Sequence, residues 1–191
     1  ALPPSRTTAC VFGASGGIGS AFVAKLATDP TVAVVHAGAR SVRKAAGTVR
    51  PFVFDLHDEA SIEATAQTIE APDLTIVATG MLHSTGIQPE KSLRAQTPQA
   101  YANAFAVNAI GPALIAKHIL PQFPKDRRSV FAVLSARVGS ISDNQLGGWH
   151  AYRASKAALN MIVRNLAIEM ARTHPQAIIV EPWIMLNVIE Q

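Results

Sequence analysis

The sequence is poor in several residue types, and each shortage excludes a class of protein. Its 191 residues contain one cysteine, Cys10, so they can form no internal disulfide, and a reducing, cytoplasmic location is expected. Aromatic residues make up 6% and are not interleaved with the basic ones, as a nucleic-acid stacking surface requires. No apolar run approaches the roughly 20 residues of a membrane helix. We therefore expect neither a disulfide scaffold, nor a nucleic-acid-binding protein, nor a membrane protein.

Charge and histidine placement narrow the ligand class further. The formal net charge is +4, but the basic residues are scattered, and the densest early group is only Arg40, Arg43 and Lys44. An anionic small ligand explains that group better than a nucleic acid does. The six histidines lie far apart without zinc-type spacing, so no metal site is expected. With 49% hydrophobic residues, residues 1–191 are expected to form one domain with a substantial core.

Short apolar runs alternate with helical patterns along the whole chain. The runs read as strands over 8–12, 31–37, 50–56, 73–80, 129–134 and 177–181, and the helical patterns cover 20–27, 58–69, 98–119 and 152–173. Six strands alternating with helices predict an α/β fold with a doubly wound parallel sheet, a three-layer α/β/α Rossmann fold. Within the third helix, Gly111 and Pro112 are expected to bend or locally break the chain.

A glycine-rich turn follows the first predicted strand. Gly13, Gly17 and Gly19 have the spacing Gly-x-x-x-Gly-x-Gly between a strand and a helix. Glycines there allow a tight turn and a close approach to a ligand. The helix that follows presents free N–H groups and the positive end of its dipole, which suit a phosphate. An ordinary glycine-rich turn is the alternative interpretation.

The ends of the next two strands bear on cofactor choice. In dinucleotide-binding folds an acidic residue near the end of the second strand holds the ribose hydroxyls, but Ala39 and Arg40 stand there. A guanidinium suits a 2′-phosphate, so NADP(H) is preferred and NAD(H) stays possible. A solvated surface arginine is the alternative. Asp55 is expected either to accept from an adenine amino group or to cap the helix that starts near Asp58.

Tyr152 and Lys156 form the most informative pair in the chain. Residues four apart in a helix lie one turn above each other on the same face. An ammonium beside a phenol favours the phenolate, so the pair predicts an acid–base group with a lowered tyrosine pKa. Upstream, Ser135 ends the fifth strand, where ligands bind in open parallel sheets. Asn108 lies beside the disturbed part of the third helix, well placed to bind a water.

Taken together, these residues closely resemble the short-chain dehydrogenase/reductase family, and within it the small C-factor-like members. The resemblance extends from about residue 7 to 180. It implies an Asn-Ser-Tyr-Lys tetrad in which Tyr152 exchanges the proton of the substrate oxygen and Lys156 holds the nicotinamide ribose and lowers the tyrosine pKa. Ser135 would orient the substrate oxygen, and Asn108 would fix a water in a proton relay. It further implies cofactor contacts at Gly13, Ser15, Gly17, Ile18, Gly19, Arg40, Asp55, Leu56, Ala78, Gly80, Tyr152 and Lys156.

The expected function is therefore an enzyme, an NADP(H)-dependent oxidoreductase that transfers hydride to or from a small carbonyl or secondary alcohol. The alternative is a cofactor-binding, C-factor-like signalling protein with little turnover. The helices over 98–119 and 152–173 have wide apolar faces, which predict a homodimer or homotetramer.

Three departures from the family pattern stand out. Phe12 replaces a threonine before the first glycine, and Val77-Ala78-Thr79-Gly80 replaces Asn-Asn-Ala-Gly. After residue 181 the family's substrate loop and last strand are expected to be missing or shortened, with residues 186–191 resembling the helix that follows that loop. An intact mass of 20.2 kDa would refute the interpretation that these segments exist but are absent from the given sequence.

Overall fold

The computed structural model describes residues 6–41, 44–83 and 88–184. Its main sheet has six parallel strands in the order β3-β2-β1-β4-β5-β7, and a second, two-stranded sheet pairs β6 with β8. The strands are β1 Thr7–Phe12, β2 Val32–Ala39, β3 Val49–Val53, β4 Leu74–Val77, β5 Ser129–Val133, β6 Ser135–Ala136, β7 Ala177–Val180 and β8 Trp183–Ile184. The helices are α1 Gly17–Ala27, α2 Glu59–Ala66, α3 Pro98–Phe105, α4 Gly111–Ile119 and α5 His150–Thr173. The predicted doubly wound Rossmann architecture is confirmed.

The strands alternate their side chains between two cores, which produces the three layers. On one face, Cys10 and Phe12 of β1 pack with side chains of α2, α4 and α5. On the other, Ala9 and Val11 pack near α1. Successive residues of a strand point to opposite faces, so one apolar run supplies both cores. Cys10 is fully buried, as its place in the strand predicts.

The predicted third helix is continuous, and its irregular turn lies directly before Gly111, where the break was predicted. Residues Ala106–Ile110 form a π-helical turn between α3 and α4, in which the Gly111 N–H donates to the Ala106 carbonyl. Pro112 has no N–H to give the Asn108 carbonyl its ordinary helical bond. The chain adapts with a wider turn around Asn108 instead of ending the helix.

The stretch Pro98–Gln122 is, among the described residues, the one helix long and apolar enough to cross a membrane by length and composition. Half of its most apolar window is buried inside the fold, where Ile115, Ala116 and Ile119 lie in the core. A helix that is buried in a protein core can be as long and as apolar as a helix that spans a membrane. The stretch is accounted for by its packing against the sheet.

Several element ends differ from the prediction. Helix α1 begins at Gly17, three residues early, and β3 ends at Val53 although the apolar pattern continues to Leu56. The predicted loop over 136–149 contains β6's last residue and a short 3-10 helix, Arg137–Gly139. The predictions for residues 185–191 lie outside the described residues.

Candidate active site

The strand order reverses between β1 and β4, which opens a crevice at their carboxyl ends. Gly13 follows β1 with a φ of +87°, and a Cβ there would lie 2.9 Å from the backbone carbon of Ala78, just after β4. Only glycine combines this backbone conformation with such a close approach. Gly13 and Ala78, two of the predicted cofactor positions, therefore lie against each other at the switch point.

The start of α1 leaves its N–H groups open toward this crevice. Its N-cap is Gly16, which provides no side-chain cap, and its first turn carries no acidic residue. A Cβ on Gly17 would meet nothing within 4 Å, whereas one on Gly19 would overlap the Gly13 carbonyl. Ser15 and Ile18 are exposed at the same end. An anion could approach the backbone at Gly17, while Gly19 is required for the turn itself.

The end of β2 presents a basic side chain without an acidic one. Ala39 is 2% exposed, and Arg40 directly after it is exposed. Lys44, also exposed, belongs to the same predicted basic group, while Arg43 lies outside the described residues. This arrangement leaves the Arg40 guanidinium accessible to a ligand phosphate.

Asp55 and Leu56, both predicted to contact the cofactor, make different local contacts in the structure. Asp55 Oδ1 accepts from the His57 N–H at 2.9 Å, whereas Asp58 caps α2 by accepting from Ala60 N–H at 3.0 Å. The alternative in which Asp55 caps α2 is therefore wrong, because Asp58 itself occupies the N-cap. The Leu56 side chain packs tightly against Gly111, so a cofactor could meet Leu56 only through its backbone.

Tyr152 and Lys156 are both buried on the same side of α5. Tyr152 is 7% exposed and Lys156 is 3% exposed, and the Lys156 Nζ lies 6.0 Å from the centre of the Tyr152 ring. The Nζ donates to the Leu134 carbonyl at 2.8 Å. A Cβ on Gly80 would lie 3.7 Å from this Nζ. The pair is thus joined through Gly80 to the crevice where Ala78 meets Gly13.

The electrostatics of this pair differ from the expectation in one respect. Burial lowers the pKa of Lys156 from 10.5 to about 8, and burial raises the pKa of Tyr152. The predicted lowering of the tyrosine pKa is not found in the protein alone. The ammonium is directed at the Leu134 carbonyl, and the loss of solvent around the phenol disfavours its anion.

The Asn108 side chain makes three hydrogen bonds to protein partners. Its Oδ1 accepts from the Met81 N–H at 2.8 Å, and its Nδ2 donates to the Met81 carbonyl at 2.9 Å and the Ser155 Oγ at 3.1 Å. Asn108 therefore ties the loop after β4 to α5. A water could be held by its main-chain carbonyl, which Pro112 cannot serve as a donor, since both amide N–H groups of the side chain are already used.

Ser135 does not direct its hydroxyl as predicted. Its Oγ donates to the Asn160 Oδ1 at 2.6 Å, and the residue is 3% exposed. Because the hydroxyl proton is directed at Asn160 in this geometry, the role of orienting a substrate oxygen stays a prediction from the family resemblance. Neighbouring Ala136 is extended, with φ −144° and ψ 146°, so its Cβ points to the opposite face.

The geometry described above matches a known family. A family model described as short chain dehydrogenase aligns with residues 7–189. The chain belongs to the short-chain dehydrogenase family. Family membership supports an NAD(P)-dependent short-chain dehydrogenase/reductase.

Two proteins from other organisms are similar to this chain. The C-signal protein of Myxococcus xanthus is 33% identical over 87 residues, which span 45% of this chain and 52% of C-signal. The 1-hydroxy-2-glutathionyl-2-methyl-3-butene dehydrogenase of Rhodococcus sp. (strain AD45) is 26% identical over 94% of this chain and 78% of its own. This chain thus spans about half of the first relative and about three quarters of the second.

Solved structures agree with the fold. A Burkholderia multivorans protein described as a short-chain dehydrogenase/reductase with bound NADP superposes with a TM-score of 0.76 at 25% identity, covering 88% of this chain and 75% of that one. The NADPH-bound carbonyl reductase from chicken fatty liver reaches a TM-score of 0.77 at 22% identity, covering 92% and 75%.

Sequence reasoning missed two residues of this short-chain dehydrogenase site. Asn160 was not singled out, although it lies two turns after Tyr152 on α5 and binds Ser135. Glu90 was also missed, although it is 5% exposed in an irregular segment and contacts the start of α5. A glutamate between Pro89 and Lys91 is a weak sequence signal, because most glutamates are exposed.

Proposed function

We propose that this protein is an NADP(H)-dependent oxidoreductase that transfers hydride between a nicotinamide and a carbonyl or secondary alcohol. One observation carries the proposal: the buried Tyr152–Lys156 pair lies next to Gly80, at the crevice where the turn after β1 meets the end of β4. Family membership supports a nicotinamide cofactor. The preference for NADP(H) over NAD(H) is a separate proposal, based on Arg40.

The residues present fit such a cofactor. The first turn of α1, open at Gly17, would hold the pyrophosphate through its N–H groups. Arg40, unopposed by an acid at the end of β2, would hold a 2′-phosphate. Lys156, at Gly80, would hold the nicotinamide ribose. When bound, the cofactor supplies or accepts the hydride.

The proton chemistry falls to Tyr152. In the reductive direction, the substrate oxygen gains negative charge and takes the phenolic proton, leaving a tyrosinate that Lys156 stabilises. The phenol is protonated at neutral pH, as a tyrosine with an ordinary pKa of about 10 would be, and burial raises its pKa further in the protein alone. A water held by the Asn108 carbonyl would pass a proton from bulk solvent through Lys156 to the tyrosinate, which restores the phenol for the next turnover. We propose no hydrogen bond from Ser135 to the substrate.

The test is NADPH consumption, followed at its absorbance, with a panel of aldehydes and ketones. Tyr152→Phe is expected to lower kcat by about 10²–10⁴-fold, the usual range for a general acid. The second tyrosine offers a matched control, because the Tyr101 hydroxyl donates to the Gln96 Oε1 and not to the site. Equal rates for Tyr152→Phe and the parent would remove Tyr152 from the mechanism.

The similarity to C-signal favours a second candidate, a cofactor-binding signalling protein with little turnover. The same assay separates the two functions. NADPH binding without consumption across the whole panel, together with an unchanged affinity in Tyr152→Phe, would support the signalling function.

We also propose a homodimer or homotetramer that uses the long helices. Ile110, at the end of the π-helical turn, is 53% exposed, and Met161 and Ile168 on α5 are 62% and 43% exposed. Large apolar side chains on two neighbouring helices form a surface of the kind that subunits cover.

A further inference from the structure

Glu90 is a buried carboxylate without a cationic partner among the described residues. It lies between β4 and α3 and is 5% exposed. Its Oε1 is buried and has no hydrogen-bond partner in the described part of the chain. A buried charge of this kind costs free energy, so its other contacts must explain why it is there.

In the described part of the chain, the hydrogen bonds of Glu90 are made with the start of α5. The Glu90 carbonyl accepts from the Trp149 N–H at 2.6 Å, and the Oε2 accepts from the Ala151 N–H at 3.3 Å. The two bonds join segments 61 residues apart in the chain. They satisfy N–H groups that a helix leaves without an acceptor in its first turn.

Helix α5 has no cap of its own. Its N-cap residue is Trp149, in the left-handed conformation with φ 49°, and it makes no side-chain cap. The first turn carries no acidic residue. Gly147 and Gly148 before it also have positive φ, and a Cβ on Gly148 would lie 3.4 Å from the Glu90 carbonyl. This unusual run of backbone is held by Glu90, whose negative charge also suits the helix dipole.

Tyr152 lies directly after the anchored residue. It is the third residue of α5, and its ring contacts Trp149 edge to face, with centres 6.3 Å apart. Tyr152, Ala151 and Glu90 line one small cavity together with Met81 and Ala104. Any shift of the first turn of α5 would therefore move the phenol.

We propose that Glu90 is a positioning residue that caps α5 from outside the helix and holds Tyr152 at its working place. The proposal rests on the function proposed above. Since proton transfer depends on geometry to within about 1 Å, loss of this cap lowers the rate of chemistry more than it lowers binding. Substrate and cofactor contacts made elsewhere remain.

The test compares Glu90→Ala, Glu90→Gln and Glu90→Asp in the full-length protein. In Glu90→Ala we expect kcat to fall at least about tenfold, with KM within about threefold and NADPH affinity within about twofold of the parent. Glu90→Gln keeps an acceptor oxygen at the same length and should restore kcat to within about threefold of the parent. Glu90→Asp keeps the charge but is one carbon shorter, so an intermediate kcat is expected.

Asp58→Ala is the matched control, because it removes another carboxylate cap, the one on α2. It should lower the melting temperature while leaving kcat unchanged. An unchanged kcat in Glu90→Ala would overturn the proposal. So would a parallel loss of kcat and NADPH affinity that glutamine does not restore.

Amide hydrogen exchange tests the cap without any turnover. The Ala151 N–H should exchange faster in Glu90→Ala than in the parent, with protection restored in Glu90→Gln, because it bonds to the side chain; the Trp149 N–H bonds to the main-chain carbonyl, which every variant keeps. If the parent reduces no substrate, the proposed function fails while this measurement still decides whether Glu90 caps α5. Unchanged exchange in Glu90→Ala would contradict the inference even in an active enzyme.

Discussion

Gly13 and Ala78 meet so closely that a Cβ on Gly13 would lie 2.9 Å from the backbone of Ala78. This contact locks the turn after β1 against the end of β4. Two residues further on, Gly80 lies beside Lys156, so the phosphate-binding turn and the Tyr152–Lys156 pair share one rigid crevice.

Two glycines of the turn should respond in opposite ways to alanine. Gly17→Ala places its Cβ in open space at the start of α1, so stability should be unchanged or rise by up to about 1 kcal/mol. NADPH affinity should fall at least about tenfold, because the Cβ occupies the approach to the N–H groups. Gly19→Ala should instead lower the melting temperature, because its Cβ overlaps the Gly13 carbonyl. Thermal unfolding and calorimetric titration separate the effects; normal NADPH binding by Gly17→Ala would contradict the phosphate site.

Arg40 should decide between the two nicotinamide cofactors. Charge-assisted hydrogen bonds contribute about 1.5–3 kcal/mol, so Arg40→Ala should weaken NADPH binding by at least about tenfold and leave NADH binding unchanged. Arg164→Ala, on the exposed surface of α5, serves as a charge-matched control. Calorimetric titration of both cofactors measures this, and tighter binding of NADH than NADPH by the parent would show that Arg40 is a surface arginine.

The Ser135 hydroxyl should support stability and not chemistry. Ser135→Ala leaves the Asn160 Oδ1 without its 2.6 Å donor, which should cost about 1–3 kcal/mol of unfolding free energy. Its kcat should stay within about threefold of the parent. Ala136→Ser would place a hydroxyl on the opposite face of the same extended strand, as a test of whether that face meets the substrate. A large kcat loss in Ser135→Ala at unchanged stability would reinstate the role implied by the family resemblance.

Lys156 should make stability depend on pH. Its pKa is about 8 in the folded protein and 10.5 when exposed, so between these values the unfolded chain binds more protons. The contribution of Lys156 to stability should therefore rise from about pH 8 toward pH 10, by no more than about 3 kcal/mol in all. The buried Cys10 thiol, whose pKa burial raises, acts in the opposite direction above about pH 9, so the comparison with a Lys156 variant isolates the lysine. Lys156→Met should lack this rise. Urea unfolding at pH 7.5, 8.5 and 9.5 measures the difference; parallel curves for the two proteins would show that burial does not lower this pKa.

The exposed apolar side chains of the long helices should mark the subunit contact. Met161→Arg introduces a charge on a surface that we expect a second subunit to cover, and it should shift sedimentation toward the monomer. The control is Lys125→Glu, a charge change on an exposed residue away from both helices. An unchanged sedimentation coefficient in Met161→Arg would place the contact elsewhere.

Local patterns predicted those features that depend on neighbouring residues. Strands buried on both faces appear as short apolar runs, so all six main strands and their order of alternation with helices were predictable. The Tyr152–Lys156 pair follows from the helical repeat, and the turn from the glycines between β1 and α1. The extent of β3 was overestimated, because the apolar residues after Val53 pack against helices instead of continuing the sheet.

The sequence by itself determined which elements form and which face of each carries the polar groups, since both follow from the repeat of a helix or strand. Only the tertiary structure decided which atom each polar group meets. Ser135 finds Asn160 25 residues away, Asn108 finds Met81 27 away, and Glu90 finds Ala151 61 away. These partners depend on how distant segments pack together. A buried polar atom without a hydrogen bond costs free energy, so the packing in which each such atom has a partner is favoured.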